Sequence, residues 1–207
     1  MWQEGFAAAG GLLEDPRLPH LRKLAWIWSA ENLVLALAVY NRMYIYIDFN
    51  GMTRMRIIGI FGMSAVVVGF ILVLWKIAMN RSFTWLLRRH LWTLAVTIYL
   101  FALTPVDAIW VSYNVRRVMS GDLAPSVQIS VHPIDSEGVL CLPPLAHCKD
   151  DTIRQGVLAL LAKRHADAQA AVRQRRQQGW TAIQWADRVV LDRLGKLRSQ
   201  WQAYADL

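Results

Sequence analysis

Hydrophobic residues lie in long runs in the first half of the chain, and short polar stretches separate these runs. The clearest run is IIGIFGMSAVVVGFILVLW, residues 57–75, whose 19 positions carry no charge. At ~1.5 Å rise per residue, a helix of that length covers about 28 Å, close to the ~30 Å hydrocarbon thickness of a bilayer. The run therefore predicts a membrane-spanning helix, with a buried helix of a large soluble protein as the alternative.

A second apolar segment covers residues 90–113 and is bordered by aromatic side chains, among them Trp92 and Trp110. Tryptophan and tyrosine are enriched at membrane interfaces, so this segment also predicts a span. Pro105 removes a helical hydrogen bond and predicts a kink about one turn before the end of the helix. The segment is therefore expected to be a kinked span that carries one carboxylate, Asp107.

The earliest apolar segment covers about residues 24–47 and is interrupted by Glu31 and Arg42. Residues 33–40 are unbroken and apolar, and Arg42 can extend towards an interface. The segment predicts a third span. The preceding N-terminal segment is residues 1–23, and its residues 1–20 do not have the pattern expected of a signal peptide.

The chain after residue 113 is more polar and falls into two parts. Residues 114–148 are rich in Pro, Gly and Ser and predict an irregular connector, with residues 128–131 as a short extended piece. Residues 149–207 predict a tail of two amphipathic helices separated near Gly179. The predicted fold class is all-α: about three polytopic transmembrane helices followed by a helical, partly irregular soluble tail.

Apolar stripes define the two tail helices, and Asp150 or Asp151 predicts the N-cap of the first. The stripe of the first helix consists of Ile153, Val157, Leu160, Leu161 and Ala168. The stripe of the second consists of Ile183, Val190, Leu194, Leu197, Trp201 and Tyr204. The second stripe is narrow and predicts packing against another helix, with a protein partner of the C-terminal helices as its expected use.

Residues 139–164 also resemble one helical hairpin of the HEAT or armadillo type, because they contain the run I-R-Q-G-V-L-A-L-L at 153–161. One copy does not make an array, since such units bury their faces against neighbours. A plain pair of amphipathic helices is therefore the preferred interpretation.

The composition changes which classes of protein remain. Hydrophobic residues make up 55% of the chain and charged residues 18%, against about 25% charged in typical soluble domains. This excludes a disordered chain, a collagen-like chain and an ordinary soluble enzyme. The net charge of +8 is compatible with nucleic acid as a partner. However, the sequence lacks the aromatic residues interspersed among basic ones, and the fold motifs, that are typical of nucleic-acid-binding proteins. A lipid bilayer with anionic headgroups is the expected partner.

The sequence contains no motif that defines catalysis. The patterns G-x-S-x-G, H-E-x-x-H, G-x-G-x-x-G and the P-loop are absent. Cys141 and Cys148, with His132 and His147 nearby, raise zinc binding, but their spacing differs from the usual C-x₂₋₄-C. A disulfide between the two cysteines stays open if the tail lies outside the cytoplasm. We therefore expect no cofactor, no metal and no enzymatic activity.

Three spans place the two termini on opposite sides of the membrane. Seven basic residues flank the spans on the N-terminal side and five on the other side. The first set is Arg17, Arg22, Lys23, Lys76, Arg81, Arg88 and Arg89, and the second is Arg42, Arg54, Arg56, Arg116 and Arg117. Because basic residues concentrate on the cytoplasmic side, the count favours an orientation with the N-terminus in the cytoplasm and the tail outside it.

Two features inside the predicted spans bear on function. An ionised carboxylate in hydrocarbon costs about 2.5–3.5 kcal/mol on insertion scales, so it is normally paired, neutralised or beside a cavity. The alternative function is therefore a transporter or channel component in which Glu31, Arg42 and Asp107 share a polar pathway. Small residues along 57–75 allow another helix to approach closely, which leaves a helix–helix oligomer open.

A distinct polar pattern, Y-x-D-x-x-G-x-T-R-x-R, occupies residues 46–56 between the first two spans. Asn50 and Gly51 predict a turn, because both residue types tolerate positive φ. Thr53 is then expected to cap the next helix.

Asp48 lies six residues before Arg54 and eight before Arg56, across the predicted turn. The pattern therefore predicts a local ion pair between Asp48 and these arginines. The candidate functional or structural polar residues of the whole chain are Glu31, Arg42, Asp48, Gly51, Thr53, Arg54, Arg56 and Asp107.

Two later stretches extend this loop pattern: L-T-P-V-D at 103–107 with Y-N-V-R-R at 113–117, and I-D-S-E-G-V-L at 134–140. Together with the loop they resemble a group of bacterial multi-pass membrane proteins that is defined only as a domain of unknown function. The resemblance covers roughly residues 33–165. It implies a multi-pass protein of the bacterial inner membrane and supplies no mechanism. It also implies that this chain is a short member or a fragment.

Overall fold

The computed structural model describes residues 19–79, 81–178 and 185–204, and this part of the chain consists of helices and turns without a strand. The helices are α1 (Pro19–Asn50), α2 (Arg54–Met79), α3 (Phe83–Leu103), α4 (Val106–Met119), α5 (Ser126–Val131), α6 (Ser136–Val139), α7 (Asp151–Gln178), α8 (Trp185–Lys196) and α9 (Arg198–Trp201). Pro143–His147 and Gln202–Tyr204 are 3-10 helices. The predicted all-α class is confirmed for these residues.

The helices form two compact units. The first unit contains the chain up to Ile45 and the segment Ile58–Thr104. The second unit contains Tyr46–Ile57 and the chain from Pro105 onward. The turn between α1 and α2 therefore belongs to the same unit as the tail.

The first unit exposes most of its apolar side chains. Among its described residues, only Ser29 and Gly69 are buried. Its helices meet through aromatic pairs, with 6.3 Å between the ring centroids of Trp28 and Phe70. Between α1 and α2, the hydroxyls of Tyr40 and Ser64 also form a 2.7 Å hydrogen bond.

Two helices of the described chain are long and apolar enough to span a membrane, namely α2 and α3. Over their best 18-residue windows the mean hydropathy is 2.8 and 1.2, and 11% and 0% of these windows is buried. The helix over the first predicted segment, α1, does not meet the same criterion. Two candidate spans therefore stand where the sequence predicted three.

Helix α3 ends at Leu103, so the prediction of one kinked helix over residues 90–113 is wrong. Thr104 adopts an extended conformation with ψ 121°, and Pro105 is the N-cap of α4. A residue before proline is disfavoured in the α region, which makes the chain break where a kink was expected. Trp110, expected at a membrane interface, is 0% exposed inside the second unit.

Helix α4 supplies the central face of the second unit. Its buried residues follow three- and four-residue spacing and are Asp107, Trp110, Val111, Asn114, Val115 and Val118. Helices α5 and α6 and the 3-10 helix Pro143–His147 pack on α4. Residues 128–131, predicted as extended, belong to α5, because one helical turn places Ile129 in this core while its neighbours face outward.

The tail helices follow the predicted stripes. Asp150 caps α7, since its Oδ1 accepts a 3.0 Å hydrogen bond from the Ile153 amide. Along α7, Val157, Leu161 and Ala168 are buried, whereas Ile153 and Leu160 are half-buried. The stripe of α7 is thus confirmed.

Helix α8 packs against α7, and the second predicted stripe lies on the side of α8 that faces the core. Val190, Leu194 and Trp201 are buried, and the Trp201 indole donates a 3.0 Å hydrogen bond to the Leu194 carbonyl. Leu197 and Tyr204 are half-buried, and Ile183 lies outside the described residues. The first helix of the HEAT-type hairpin is replaced by the 3-10 helix Pro143–His147.

The tail is expected to lose stability in mild acid because of His165 on α7. The His165 ring stacks on Trp201 with 4.7 Å between centroids, and burial and the Arg198 charge lower the pKa of His165. The unfolded chain therefore takes up more protons as the pH falls through about 6.5, which favours unfolding. We expect hydrogen-exchange protection of α7 and α8 to fall between about pH 7.5 and pH 5.5.

In His165→Gln this pH dependence should become smaller. The matched control is His147→Gln, because His147 is exposed. Equal pH dependence in the wild type and in His165→Gln would contradict the role of His165.

Candidate functional site

The loop between α1 and α2 turns at Gly51, as predicted. Its φ of +83° lies in the left-handed region, and its amide donates a 2.9 Å hydrogen bond to the Ile47 carbonyl at the end of α1. A Cβ at this position would lie 2.7 Å from Asn114 Oδ1 and 2.9 Å from Pro125 Cβ. Both the backbone angle and the contact with α4 therefore require glycine.

Thr53 caps α2, as predicted, although its bond is long. Its hydroxyl accepts a 3.4 Å hydrogen bond from the Arg56 amide, and its carbonyl accepts a 3.1 Å bond from the same amide. The Arg56 guanidinium folds back and donates to the Gly51 carbonyl. The loop is thereby closed on itself.

Asn114 fixes the loop to α4 with two hydrogen bonds. Its Oδ1 accepts from the Met52 amide and its Nδ2 donates to the Met52 carbonyl, both at 2.8 Å. Asn114 is 0% exposed, so both polar atoms are buried and satisfied. A side chain that pairs with both backbone groups of one residue sets the register of the loop on α4.

Arg117 covers the end of α1. Its guanidinium donates to the Ile47 carbonyl at 2.9 Å and to the Asp48 carbonyl at 2.5 Å, and it pairs with Asp122. The last carbonyls of a helix lack helical partners and carry partial negative charge. Arg117 supplies a donor to the Asp48 carbonyl and a second donor to the Ile47 carbonyl, which also accepts from the Gly51 amide.

The charged centre of the site consists of Arg54, Asp107, Trp110 and Asp135, here called the Asp107 cluster. Arg54 Nε donates to Asp107 Oδ1 at 2.8 Å, and Arg54 Nη2 donates to Asp107 Oδ2 at 2.5 Å. The same Nη2 reaches the Asp135 carboxylate at 2.5 Å. Such a two-point contact is the strong form of an arginine–carboxylate pair.

The carboxylate of Asp107 accepts four hydrogen bonds. Beside the two from Arg54, the Trp110 indole donates at 3.0 Å and the Asp135 amide donates at 2.7 Å. Burial raises the pKa of Asp107, but the bonds from Arg54, Asp135 and Trp110 outweigh burial and hold it below the usual range. The carboxylate is therefore charged and accepts two hydrogen bonds at each oxygen. This arrangement suits a structural role rather than proton transfer.

The predicted local pair between Asp48 and the two arginines is wrong. Arg54 pairs with Asp107 and Asp135, and Arg56 donates to a backbone carbonyl. Asp48 takes part through its main-chain carbonyl, which accepts from Arg117. Arg54 pairs with Asp107, which is distant in the sequence, rather than with Asp48. Asp107 is only 4% exposed, and burial strengthens its electrostatic attraction to the guanidinium.

Three of the predicted site residues come together with residues that the sequence did not single out. Gly51, Arg54 and Asp107 all lie against α4 or on it, whereas Glu31 and Arg42 lie on α1 in the first unit. Asn114 lies seven residues after Asp107, on the same buried face of α4. Two polar residues seven positions apart on an otherwise apolar helix face are the feature of the sequence that could have pointed to Asn114.

The described residues contain no group of three His, Cys, Asp or Glu side chains that could hold a metal ion. Cys141 and Cys148 are both free thiols. The Cys141 thiol lies 3.9 Å from the Ala108 carbonyl on α4.

Removal of one partner of the Arg54–Asp107 pair should strongly destabilise the second unit. Arg54→Met leaves the Asp107 charge buried without its main partner, so we expect a loss of about 3 kcal/mol in the free energy of unfolding. In a double-mutant cycle with Asp107→Asn, the coupling energy should be about 2 kcal/mol. Thermal or chemical unfolding in detergent measures both values.

Two matched controls accompany this cycle. The exposed pair Lys196–Asp192 should couple by no more than about 0.5 kcal/mol. Asp48→Ala should leave the free energy of unfolding unchanged, because its carboxylate is not a partner of Arg54. Coupling of Arg54 to Asp48 rather than to Asp107 would overturn the assignment.

Substitutions at Gly51 and Gly121 distinguish the cost of backbone strain from the cost of a steric clash. Both have positive φ, +83° and +104°, but a Cβ at Gly121 would meet nothing within 4 Å. We expect Gly121→Ala to cost about 1–2 kcal/mol from the backbone alone. Gly51→Ala should cost about 1–3 kcal/mol more, because it also displaces Asn114 or Pro125. Equal losses in unfolding measurements would show that the Asn114 contact is unimportant.

Residues 7–131 match the family described as Domain of unknown function (DUF4153). No curated protein and no solved structure matches the chain. The match includes the Gly51 turn, Arg54, Asp107 and Asn114, and it covers more than half of the sequence. The chain belongs to the DUF4153 family of unknown function.

Proposed function

We propose that this chain is a non-catalytic integral membrane protein that presents the second unit as an interaction module beside the bilayer. The main support for this proposal is that the two apolar helices, α2 and α3, are exposed. A core helix of a soluble protein would be mostly buried, whereas 11% of the best window of α2 and 0% of that of α3 is buried. Apolar surface of this extent is unfavourable in water and favourable in lipid.

The connection of the two units supports a hairpin of two crossings. The segments before and after the hairpin, Tyr46–Ile57 and the chain from Pro105, belong to the same compact unit. A chain that leaves one compact unit and returns to it crosses a bilayer an even number of times. Helices α2 and α3 therefore cross once each in this proposal.

The charges around the hairpin turn set the proposed orientation. Lys76, Arg81, Arg88 and Arg89 lie there, and residues 76–89 contain no Asp or Glu. Basic residues near spans concentrate on the cytoplasmic side. The hairpin turn is therefore cytoplasmic in this proposal, and the second unit lies outside, as for a bacterial inner-membrane protein.

Helix α1 is the proposed third crossing. Val34, Leu35, Leu37 and Val39 are all exposed, so its apolar segment also needs a covering environment. With 32 residues at ~1.5 Å each, α1 is about 48 Å long, more than a ~30 Å hydrocarbon core requires. Its ends therefore reach beyond the membrane.

The interaction face of the second unit lies on α5 rather than on the tail stripe. The stripe of α8 is already packed against α7, but Val127 and Val131 on α5 are 56% and 68% exposed. Val127 also lines a cavity of about 420 Å³, together with Val157 and Leu160 of α7. Exposed apolar residues next to an apolar cavity are typical of a surface that binds a protein partner.

The transporter alternative gains no specific support. Asp107, one of its three proposed residues, has all its acceptor positions filled by Arg54, Trp110 and Asp135. Glu31 and Arg42 are eleven residues apart on α1, about 16 Å along the helix axis. A carboxylate held in this way is a structural anchor.

Reporter fusions test the membrane proposal. A fluorescent protein that folds only in the cytoplasm should be bright when fused after Arg81 and dark when fused after Leu207. An alkaline phosphatase, active only outside, should give the opposite result, and sodium carbonate should leave the protein in the membrane fraction. Equal signals at both positions, or release by carbonate, would refute the hairpin.

A further inference from the structure

A groove of about 600 Å³ runs between α2 and α3 in the first unit. Its walls are mainly apolar and include Ala65 and Leu72 on one side and Val96 and Leu100 on the other. One charged residue, Arg89, also lines it. The groove therefore combines an apolar trough with a single cation.

The hydroxyl groups inside the groove are already satisfied. Thr93 donates to the Arg89 carbonyl at 3.0 Å, and Thr97 donates to the Thr93 carbonyl at 2.8 Å. Ser64 is hydrogen-bonded to Tyr40 of α1. Since these groups make no demand on a ligand, the trough is suited to hydrocarbon rather than to a polar molecule.

The position of Arg89 matches the level of lipid headgroups. Side chains of a helix lean towards its N-terminus, and the Arg89 guanidinium lies over the Trp85 ring, 5.6 Å from its centroid. Trp85 in turn lies 6.4 Å from Trp75, at the other side of the hairpin end. A pair of tryptophans at the end of two apolar helices marks the membrane interface.

The length of the groove suits one acyl chain. From Arg89 to Leu100 there are eleven residues, or about 16 Å at ~1.5 Å rise per residue. Half of a ~30 Å hydrocarbon core, the share of one leaflet, is about 15 Å. The trough is therefore long enough to cover one acyl chain whose phosphate lies beside Arg89.

We propose that this groove binds an anionic phospholipid, with one acyl chain in the trough and the phosphate paired with Arg89. The site rests on the proposed membrane insertion and adds a ligand class to it. The positive charge favours an anionic headgroup over a zwitterionic one, and the satisfied hydroxyls favour a lipid over a soluble phosphate.

Native mass spectrometry of the detergent-solubilised full chain tests the site, with phosphatidylglycerol and phosphatidylcholine as probes. We expect phosphatidylglycerol to bind about five-fold more tightly, the ratio for one basic residue at a membrane surface. Arg89→Gln should remove this preference. Arg88→Gln is the matched control, since Arg88 is exposed, carries the same charge and does not line the groove.

A second pair of variants tests the trough. Ala65→Phe should fill it and weaken binding of both lipids, whereas Val66→Phe should not, because Val66 is 71% exposed and outside the groove. Glycerol phosphate, which lacks an acyl chain, should not compete with phosphatidylglycerol. These results together would support the site.

Three results would overturn it: equal effects of Arg89→Gln and Arg88→Gln, competition by glycerol phosphate, or loss of dimers rather than of lipid on filling the trough. The last result would assign the groove to a second copy of the chain. The reporter fusions, repeated on each variant, keep the two proposals apart. If the hairpin inserts but Arg89 and Arg88 behave alike, the lipid site fails and the membrane proposal stands.

Discussion

The second unit depends on one buried charge, the carboxylate of Asp107. Its donors come from three places in the chain: Arg54 at the start of α2, Trp110 on α4 and the Asp135 amide before α6. A buried carboxylate without these donors would cost several kcal/mol, so the folded unit is favourable only when all three elements are in place. The charge therefore selects one arrangement of the loop, α4 and α6 more than it adds stability.

The same contacts join two helix starts within the second unit. Arg54 is the first residue of α2, and Asp107 is the second residue of α4, just after α3 ends. Asn114 fixes the turn that precedes α2 through its two hydrogen bonds to Met52. The Asp107 cluster therefore holds together the two parts of the chain that make up the second unit, Tyr46–Ile57 and the residues from Pro105 onward.

The sequence predicted features that depend on neighbouring residues. The Gly51 turn, the apolar run of α2 and the stripe of α7 all follow from local φ preference or helical spacing. The partner of Arg54 lies 53 residues away, and no local spacing points to it. The sequence predicted Trp110 at a membrane interface. Amphipathic aromatic side chains occur both at interfaces and in protein cores, and hydropathy alone does not distinguish the two environments. The end of α3 before Pro105 puts Trp110 on a separate helix, α4, in the core of the second unit.

Arg54 pairs with Asp107, and Asn114 bonds to Met52 beside Gly51, so contacts within the second unit explain the polar motif. Each has a partner within the second unit, and their hydrogen-bonding capacity is largely used there. The two proposed recognition surfaces therefore lie elsewhere: on the outer face of α5 with its two exposed valines, and in the groove that Arg89 lines. One is apolar and belongs to the second unit, the other combines an apolar trough with a cation and belongs to the first. The two proposals therefore predict ligands of different kinds.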